Sequence, residues 1–229
     1  MHSYEIEIKS LLGSKENADL LLSKMKNTGL NLIEMGSHKQ LNHYFEGGSL
    51  QSLYENTKDV LTEDSKKSSL EDLSKKAKDF SVRTRLMGVK VILVVKASVD
   101  ETTSSNGTAR LEWECKVNIK LEELDNLVLK SGFTYQAKWS RERQEFVYNS
   151  GGRSLNVSID KNAGYGYLSE FEVVINDETK AEEVKAFIRE TMHKLGLEEL
   201  AQDRLKRMFE YYNTNWREFY GTENIFHIE

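Results

Sequence analysis

Glu5-Ile6-Glu7-Ile8-Lys9 sets two carboxylates and an ammonium at alternate positions, with apolar residues between them. In a β-strand alternate side chains share a face, so Glu5, Glu7 and Lys9 lie together, opposite Tyr4, Ile6 and Ile8. Two carboxylates at that spacing can hold a divalent cation through hard oxygen ligands, and a neighbouring lysine can hold an anion that the cation also touches. Alone, such a segment reads as an edge strand with a solvated polar face. The arrangement recurs, however. Arg83 and Arg85 share a face, Lys96 follows Val94 by two, and Arg141 and Arg143 share a face. Arg110-Leu111-Glu112-Trp113-Glu114-Cys115-Lys116-Val117 alternates strictly, Glu170 and Glu172 flank Phe171, and Asp160 ends the segment before them. Charges of both signs on one face of a closed sheet would be costly without ligands. Cations for the carboxylates and a polyanion for the arginines and lysines meet that need. A triphosphate bridged by Mg²⁺ or Mn²⁺ supplies both.

The elements that must position these residues follow from periodicity. A first strand over Tyr4 to Leu12 runs into Gly13-Ser14, where Ser14 can cap a helix over residues 15–27 with Ala18, Leu21, Leu22 and Met25 as its apolar stripe. A second strand covers Lys39 to Glu46. Residues 49–79 are polar, with weakly amphipathic stretches at 50–61 and 70–77, and the low-complexity run Asp64 to Ser69 between them reads as a solvated surface excursion. Residues 80–86 and 89–97 form a hairpin turning at Met87-Gly88. The polar loop 100–107 carries the turn signal Asn106-Gly107 and leads into the strand at 108–117. A helix at 121–131 stops at Gly132, a second hairpin spans 133–148 and 153–160, and a last strand covers 165–176. Helices at 180–195 and 202–212 precede a tail, 213–229, rich in aromatics. Gly164-Tyr165-Gly166 precedes a strand rather than a helix, so it turns the chain and is not a phosphate loop. The alternation gives an α+β fold of seven or eight antiparallel strands around a barrel-like sheet. If the helix stripes cover the outside of that barrel, the charged faces point inward and line a tunnel.

Bulk properties exclude several classes. At 229 residues the chain can bury a substantial core, and 38% hydrophobic with 30% charged residues suits a soluble globular protein. No apolar run approaches the ~20 residues needed to span a bilayer, and no basic-then-apolar leader is visible, so a cytoplasmic protein with no membrane partner is expected. The single cysteine, Cys115, excludes an internal disulfide framework and is expected as a small buried residue. The net charge of −5 argues against a broadly basic nucleic-acid surface. His38 and His43 bracket the second strand without the close His or Cys partners that a zinc site needs.

With the strands in order, the sequence resembles the CYTH domain, or triphosphate tunnel metalloenzyme, family, which includes class IV adenylate cyclases and thiamine triphosphatases. Glu5 to Lys9 matches its ExExK signature, residues 40–46 its following strand, Arg83-Thr84-Arg85 its RxR, and Lys96 its single lysine. Arg110, Glu112 and Glu114 match RxExE, Arg141, Arg143 and Phe146 resemble KxRxxY, and Asp160, Gly164, Gly166, Glu170 and Glu172 resemble the closing Asp…Gly…ExE segment. The resemblance runs from residue 4 to about 195. It implies an eight-stranded antiparallel closed β-barrel with helices packed outside, formed by the whole chain, 1–229, as one domain. The polar stretch at 49–79 would be an insertion and the aromatic tail at 213–229 an extension.

Under that resemblance Glu5, Glu7, Glu170 and Glu172 are metal ligands for Mg²⁺ or Mn²⁺, with Asp160 and Glu114 assisting. Lys9, Arg83, Arg85, Lys96, Arg110, Arg141 and Arg143 cradle phosphate oxygens. Glu7, Lys9, Arg141 and Tyr44 are the catalytic candidates. The implied activity is metal-dependent hydrolysis of inorganic triphosphate, a nucleoside triphosphate or thiamine triphosphate. A class IV adenylate cyclase making cyclic AMP and pyrophosphate from ATP is the alternative, as is a non-catalytic polyphosphate- or nucleotide-binding module. RNA 5′-triphosphate is a less favoured substrate, and the motifs leave the oligomeric state open. Two positions depart from the family pattern. Arg141 stands where lysine is usual, and an arginine stays protonated, so it stabilises charge but makes a poor general base. Glu46 stands for the usual aspartate. Tyr44 is either packed or orients substrate, and Glu112 is either a metal ligand or an acid that orients an arginine.

Overall fold

Ser14 is an N-cap: its hydroxyl accepts from the backbone N–H of Asn17 at 3.3 Å, starting helix α1 (Lys15–Asn27) directly after strand β1 (Tyr4–Gly13). The computed structural model describes residues 4–28, 32–98 and 111–229, and the side chains of Tyr4, Glu5, Ser98, Leu111, Glu112 and Glu178 lie outside that description. Beyond α1 the order is β2 (Leu32–Gly47), α2 (Leu50–Thr57), α3 (Asp64–Lys76), β3 (Asp79–Met87), β4 (Lys90–Ser98), β5 (Leu111–Val117), α4 (Leu121–Lys130), β6 (Phe133–Ser150), β7 (Arg153–Asn162), β8 (Gly166–Ile175), α5 (Ala181–Lys194) and α6 (Gln202–Phe219).

The strands make one antiparallel eight-stranded sheet in the order β1-β8-β7-β6-β2-β3-β4-β5, and with the helices this is an α+β fold. The closed barrel anticipated from the motifs differs in one respect. Among the described residues no ladder joins β1 to β5, so hydrogen bonds leave the sheet with two edges.

The chain divides into two compact units, Met1–Lys39 with Arg141–Glu229, and Gln40–Ser140, and the long strands β2 and β6 each contribute a segment to both. Each unit has its own core. In the first, Ile8, Phe146, Val157 and Phe171 from one sheet face pack with Leu21 and Met25 of α1 and Ile188 and Met192 of α5. In the second, Leu93, Val95, Trp113 and Cys115 pack with Leu53, Leu70, Leu73, Leu124 and Val128 from α2, α3 and α4. Helix stripes therefore cover the apolar sheet face, as the sequence pattern requires.

Three elements depart from the sequence-based expectation. Asp64 to Ser69 is solvated, as expected, but helical: it is the first half of α3. Lys67 pairs with Asp64 at 2.9 Å and Lys75 with Glu71 at 2.7 Å, and Leu70 and Leu73 enter the core, so local ion pairs and two buried leucines outweigh the poor helix propensity of the serines. Strand β2 begins at Leu32 rather than Lys39. Helix α6 continues past Tyr212 to Phe219, carrying Tyr212 and Phe219 into a buried aromatic cluster with Tyr165 and Phe226, while Phe209 and Tyr211 stay exposed. The Gly164–Gly166 turn needs its glycines: a Cβ on Gly166 (φ 72°) would meet the Gly13 carbonyl oxygen at 2.3 Å. The loop 100–107 and Arg110 lie outside the described residues.

Candidate functional site

Strand register converts the alternation of the first unit into rows of opposed residues. Glu7 faces Glu172, which faces Asn156, which faces Val147. One step along, Lys9 faces Glu170, then Ser158, then Glu145; the next row is Leu11, Leu168, Asp160 and Arg143. Directly opposed residues project to the same side of a sheet. Glu7, Lys9, Glu170, Glu172, Asp160 and Arg143 therefore gather on the face that the helices leave uncovered.

Ion pairs tie these rows together. Arg143 forks onto the fully buried Asp160, with Nε to Oδ1 at 2.7 Å and Nη2 to Oδ2 at 2.6 Å, and also donates to Glu170. Arg141 reaches the same Asp160 Oδ2 at 3.4 Å. Lys9 bridges Glu7 and Glu170, the latter at 3.2 Å, while Ser158 donates to Glu170 at 3.3 Å and Asn156 to Glu172 at 3.2 Å. Burial works against the Glu170 carboxylate, but the charges of Lys9, Arg143 and Arg141 outweigh it and hold its pKa down to about 2. Burial likewise disfavours the Arg143 cation, and Asp160 and Glu170 more than compensate, raising its pKa. A cavity of about 290 Å³ opens on this face, lined by Met35, Arg143, Glu145, Ser158, Glu170 and Glu172 among others. A larger cavity, about 490 Å³, lies between α1 and residues 195–204 and includes none of the motif residues. Chemistry, not size, marks the smaller one.

In the second unit the rows are Tyr44, Arg83, Val94 and Glu114, then Asn42, Arg85, Ile92 and Lys116, with Lys96 opposed to Ser81 and Glu112. Arg83 donates to the Tyr44 hydroxyl at 3.1 Å, and its guanidinium lies 5.4 Å from the centre of that ring. Arg85 Nε donates to the Asn42 side-chain oxygen at 2.9 Å, and Glu114 is 3.8 Å from its Nη1. Tyr44 is thus half-buried against an arginine of the charged face.

Each unit brings its own predicted residues onto one face. The side chains of Glu5 and Glu112, and Arg110 altogether, lie outside the described residues. Sequence reasoning missed Asn42, Glu145, Asn156 and Ser158. Asn42 and Glu145 had a signal, since they share parity with Tyr44 and with Arg141 and Arg143. Lys138, two strand positions short of Ser140, lies 4.1 Å from the centre of the Tyr135 ring. Among the described residues no three His, Cys, Asp or Glu side chains gather as a preformed metal site, and no helix is long and apolar enough to cross a membrane.

No protein-family model matches the chain, and no curated protein matches it in sequence. Solved structures do. The PH1819 protein from Pyrococcus horikoshii OT3 is 18% identical over 91% of this chain and 99% of its own, with a TM-score of 0.56. The PH1012 protein from the same organism is 18% identical over 85% of this chain and 91% of its own, at 0.54. A candidate adenylate cyclase from Vibrio parahaemolyticus is 13% identical over 92% and 99%, at 0.57. The chain shares their fold.

Proposed function

We propose that this chain is a divalent-metal-dependent triphosphatase of the triphosphate tunnel kind, its sheet closing as a barrel around inorganic triphosphate, a nucleoside triphosphate or thiamine triphosphate. The observation that carries the reading is the face on which Glu7 opposes Glu172 while Lys9, Arg141 and Arg143 stand beside them. Like charges directly opposed across a ladder are destabilising, so the Glu7–Glu172 pair invites a cation, and hard carboxylate oxygens suit Mg²⁺ or Mn²⁺. Glu5, Glu114, Asp160 and Glu170 are the further carboxylates that the motif resemblance implies. Asp160 and Glu170 would have to exchange Arg143 or Lys9 for the ion. Bound there, a divalent ion supplies charge neutralisation at phosphate oxygens.

The chain's own residues supply the rest. Lys9, Arg83, Arg85, Lys96, Arg110, Arg141 and Arg143 hold phosphate oxygens, the arginines as planar forks and the lysines as point charges. Arg141 stabilises charge developing on the phosphoryl group and takes no proton. Glu7 orients the attacking water, and Tyr44 holds Arg83 in its donating orientation.

The second reading is a class IV adenylate cyclase, favoured by the likeness to the Vibrio protein. The two readings separate on products. With ATP and Mg²⁺ or Mn²⁺, ADP and phosphate support the hydrolase, and cyclic AMP with pyrophosphate supports the cyclase. A panel of inorganic triphosphate, ATP, thiamine triphosphate and triphosphorylated RNA ranks the substrates. Glu7→Ala is expected to lower turnover by about 100-fold or more with the circular dichroism spectrum unchanged. Absence of turnover on every substrate with every divalent ion would sink the enzyme reading.

A further inference from the structure

Helix α4 carries a carboxylate on the stripe that should be apolar. Leu121, Leu124 and Val128 face the core of the second unit, and Asp125 lies among them, 3% exposed. Burying a carboxylate is costly unless its oxygens are satisfied. Here three donors converge on it: Thr84 Oγ1 to Oδ1 at 2.6 Å, Tyr135 hydroxyl to Oδ2 at 2.7 Å, and the His43 ring Nδ1 to Oδ2 at 2.6 Å. Each comes from a different strand, β3, β6 and β2.

The sequence position of two of these donors gives the cluster its meaning. His43 sits between Asn42 and Tyr44, and Thr84 between Arg83 and Arg85. His43 and Thr84 are also direct partners across the β2–β3 ladder. Their side chains point to the helix side, while the four flanking side chains form the Tyr44–Arg83 and Asn42–Arg85 contacts on the charged face. Fixing His43 and Thr84 from behind therefore fixes where both guanidinium groups stand.

We propose that Asp125 is a positioning residue for the phosphate-holding face, acting through His43 and Thr84 on Arg83 and Arg85. The inference rests on the triphosphatase reading. A merely structural role would be served as well by apolar residues, which fill the rest of that row as Leu93 and Cys115, and replacing a buried ionic cluster by packed apolar groups is often neutral or stabilising. What apolar packing lacks is direction: hydrogen bonds fix the height and rotation of each strand, and phosphate recognition by a planar fork is sensitive to both.

Thr84→Val keeps the side-chain shape and deletes one bond, Tyr135→Phe deletes another, and Thr84→Ser restores a hydroxyl. Affinity for inorganic tripolyphosphate by calorimetry, KM and kcat on the best panel substrate, and the urea midpoint are measured for each. Thr84→Val is expected to raise Kd and KM about tenfold with kcat within about threefold, and Thr84→Ser to return both towards wild type. Tyr135→Phe, which leaves the His43 and Thr84 bonds in place, is the control and shifts them by about threefold at most. Asp125→Asn, which keeps the side-chain shape and weakens the bonds to His43 and Thr84, supplies the reading should Thr84→Val fail to fold. A rise in Kd of about tenfold is expected for it, and an unmoved Kd would overturn the positioning role. Unmoved Kd and KM alongside a lowered urea midpoint would overturn the positioning role while leaving the triphosphatase reading intact. A wild-type chain that neither binds nor turns over any triphosphate overturns both.

Discussion

In the unit built from Met1–Lys39 and Arg141–Glu229, Arg143 meets both oxygens of a buried aspartate and a glutamate besides. In Gln40–Ser140, Arg85 meets the amide oxygen of Asn42 and Arg83 meets a phenol. The backing differs as well. Behind the first face lies the apolar packing of α1 and α5, and behind the second a carboxylate gripped by three strands. A carboxylate acceptor cancels the charge it holds and ties the arginine to the fold. A neutral oxygen aims the guanidinium without cancelling its charge, and the Glu114 carboxylate stands 3.8 Å from Arg85. Antiparallel strands under helices thus hold their arginines by opposite charge in one unit and largely by neutral oxygens in the other.

The comparison breaks most visibly at Arg143. Arg143→Met leaves Asp160 buried without its fork and is expected to cost about 3–5 kcal/mol in urea unfolding; a loss under about 1 kcal/mol would mean the two faces are alike. Acid sharpens it next. Glu170 has its pKa held to about 2, below the ordinary glutamate value of ~4.3. Its contribution to stability is therefore complete above ~4.3 and lost as pH falls through about 2, and Glu170→Gln should flatten the urea midpoint over that window. An unchanged slope would remove Glu170 from the ion-pair cluster. Arg85→Met, whose Nε bonds a neutral amide, should cost only about 1 kcal/mol while weakening tripolyphosphate binding more than its stability loss suggests. Lys15→Ala, breaking an exposed pair with Asp19 at 2.6 Å, should leave both the urea midpoint and tripolyphosphate binding unmoved.

The charged faces were legible in the sequence because strand parity is a local property: Glu5 to Lys9, Arg83 to Arg85 and Glu170 to Glu172 declare their side by alternation alone. Helices α1, α4 and α5 were legible for the same reason, through caps and stripes. Cross-strand partners were not, since the opposition of Glu7 to Glu172 and of Arg143 to Asp160 depends on register between distant segments. The solvated Asp64–Ser69 run did not announce its helix, because that helix is held by Leu70 and Leu73 docking in the core, a tertiary effect that outweighs composition. Asp125 left a trace that could have been read: an acid four residues after Leu121 and three before Val128, on the buried stripe of an amphipathic helix.

Lys9 bridges Glu7 and Glu170, and in doing so it spans two carboxylates as a small cation would. Under the proposed function it is a built-in competitor for the metal. A divalent ion arriving alone must evict an ammonium already in place, whereas a polyanion that draws Lys9 to itself vacates the oxygens. Each ligand then tightens the other, and by thermodynamic reciprocity the factor is the same in both directions. The charged face would act as an AND gate, closing on metal and triphosphate together and holding either one poorly by itself.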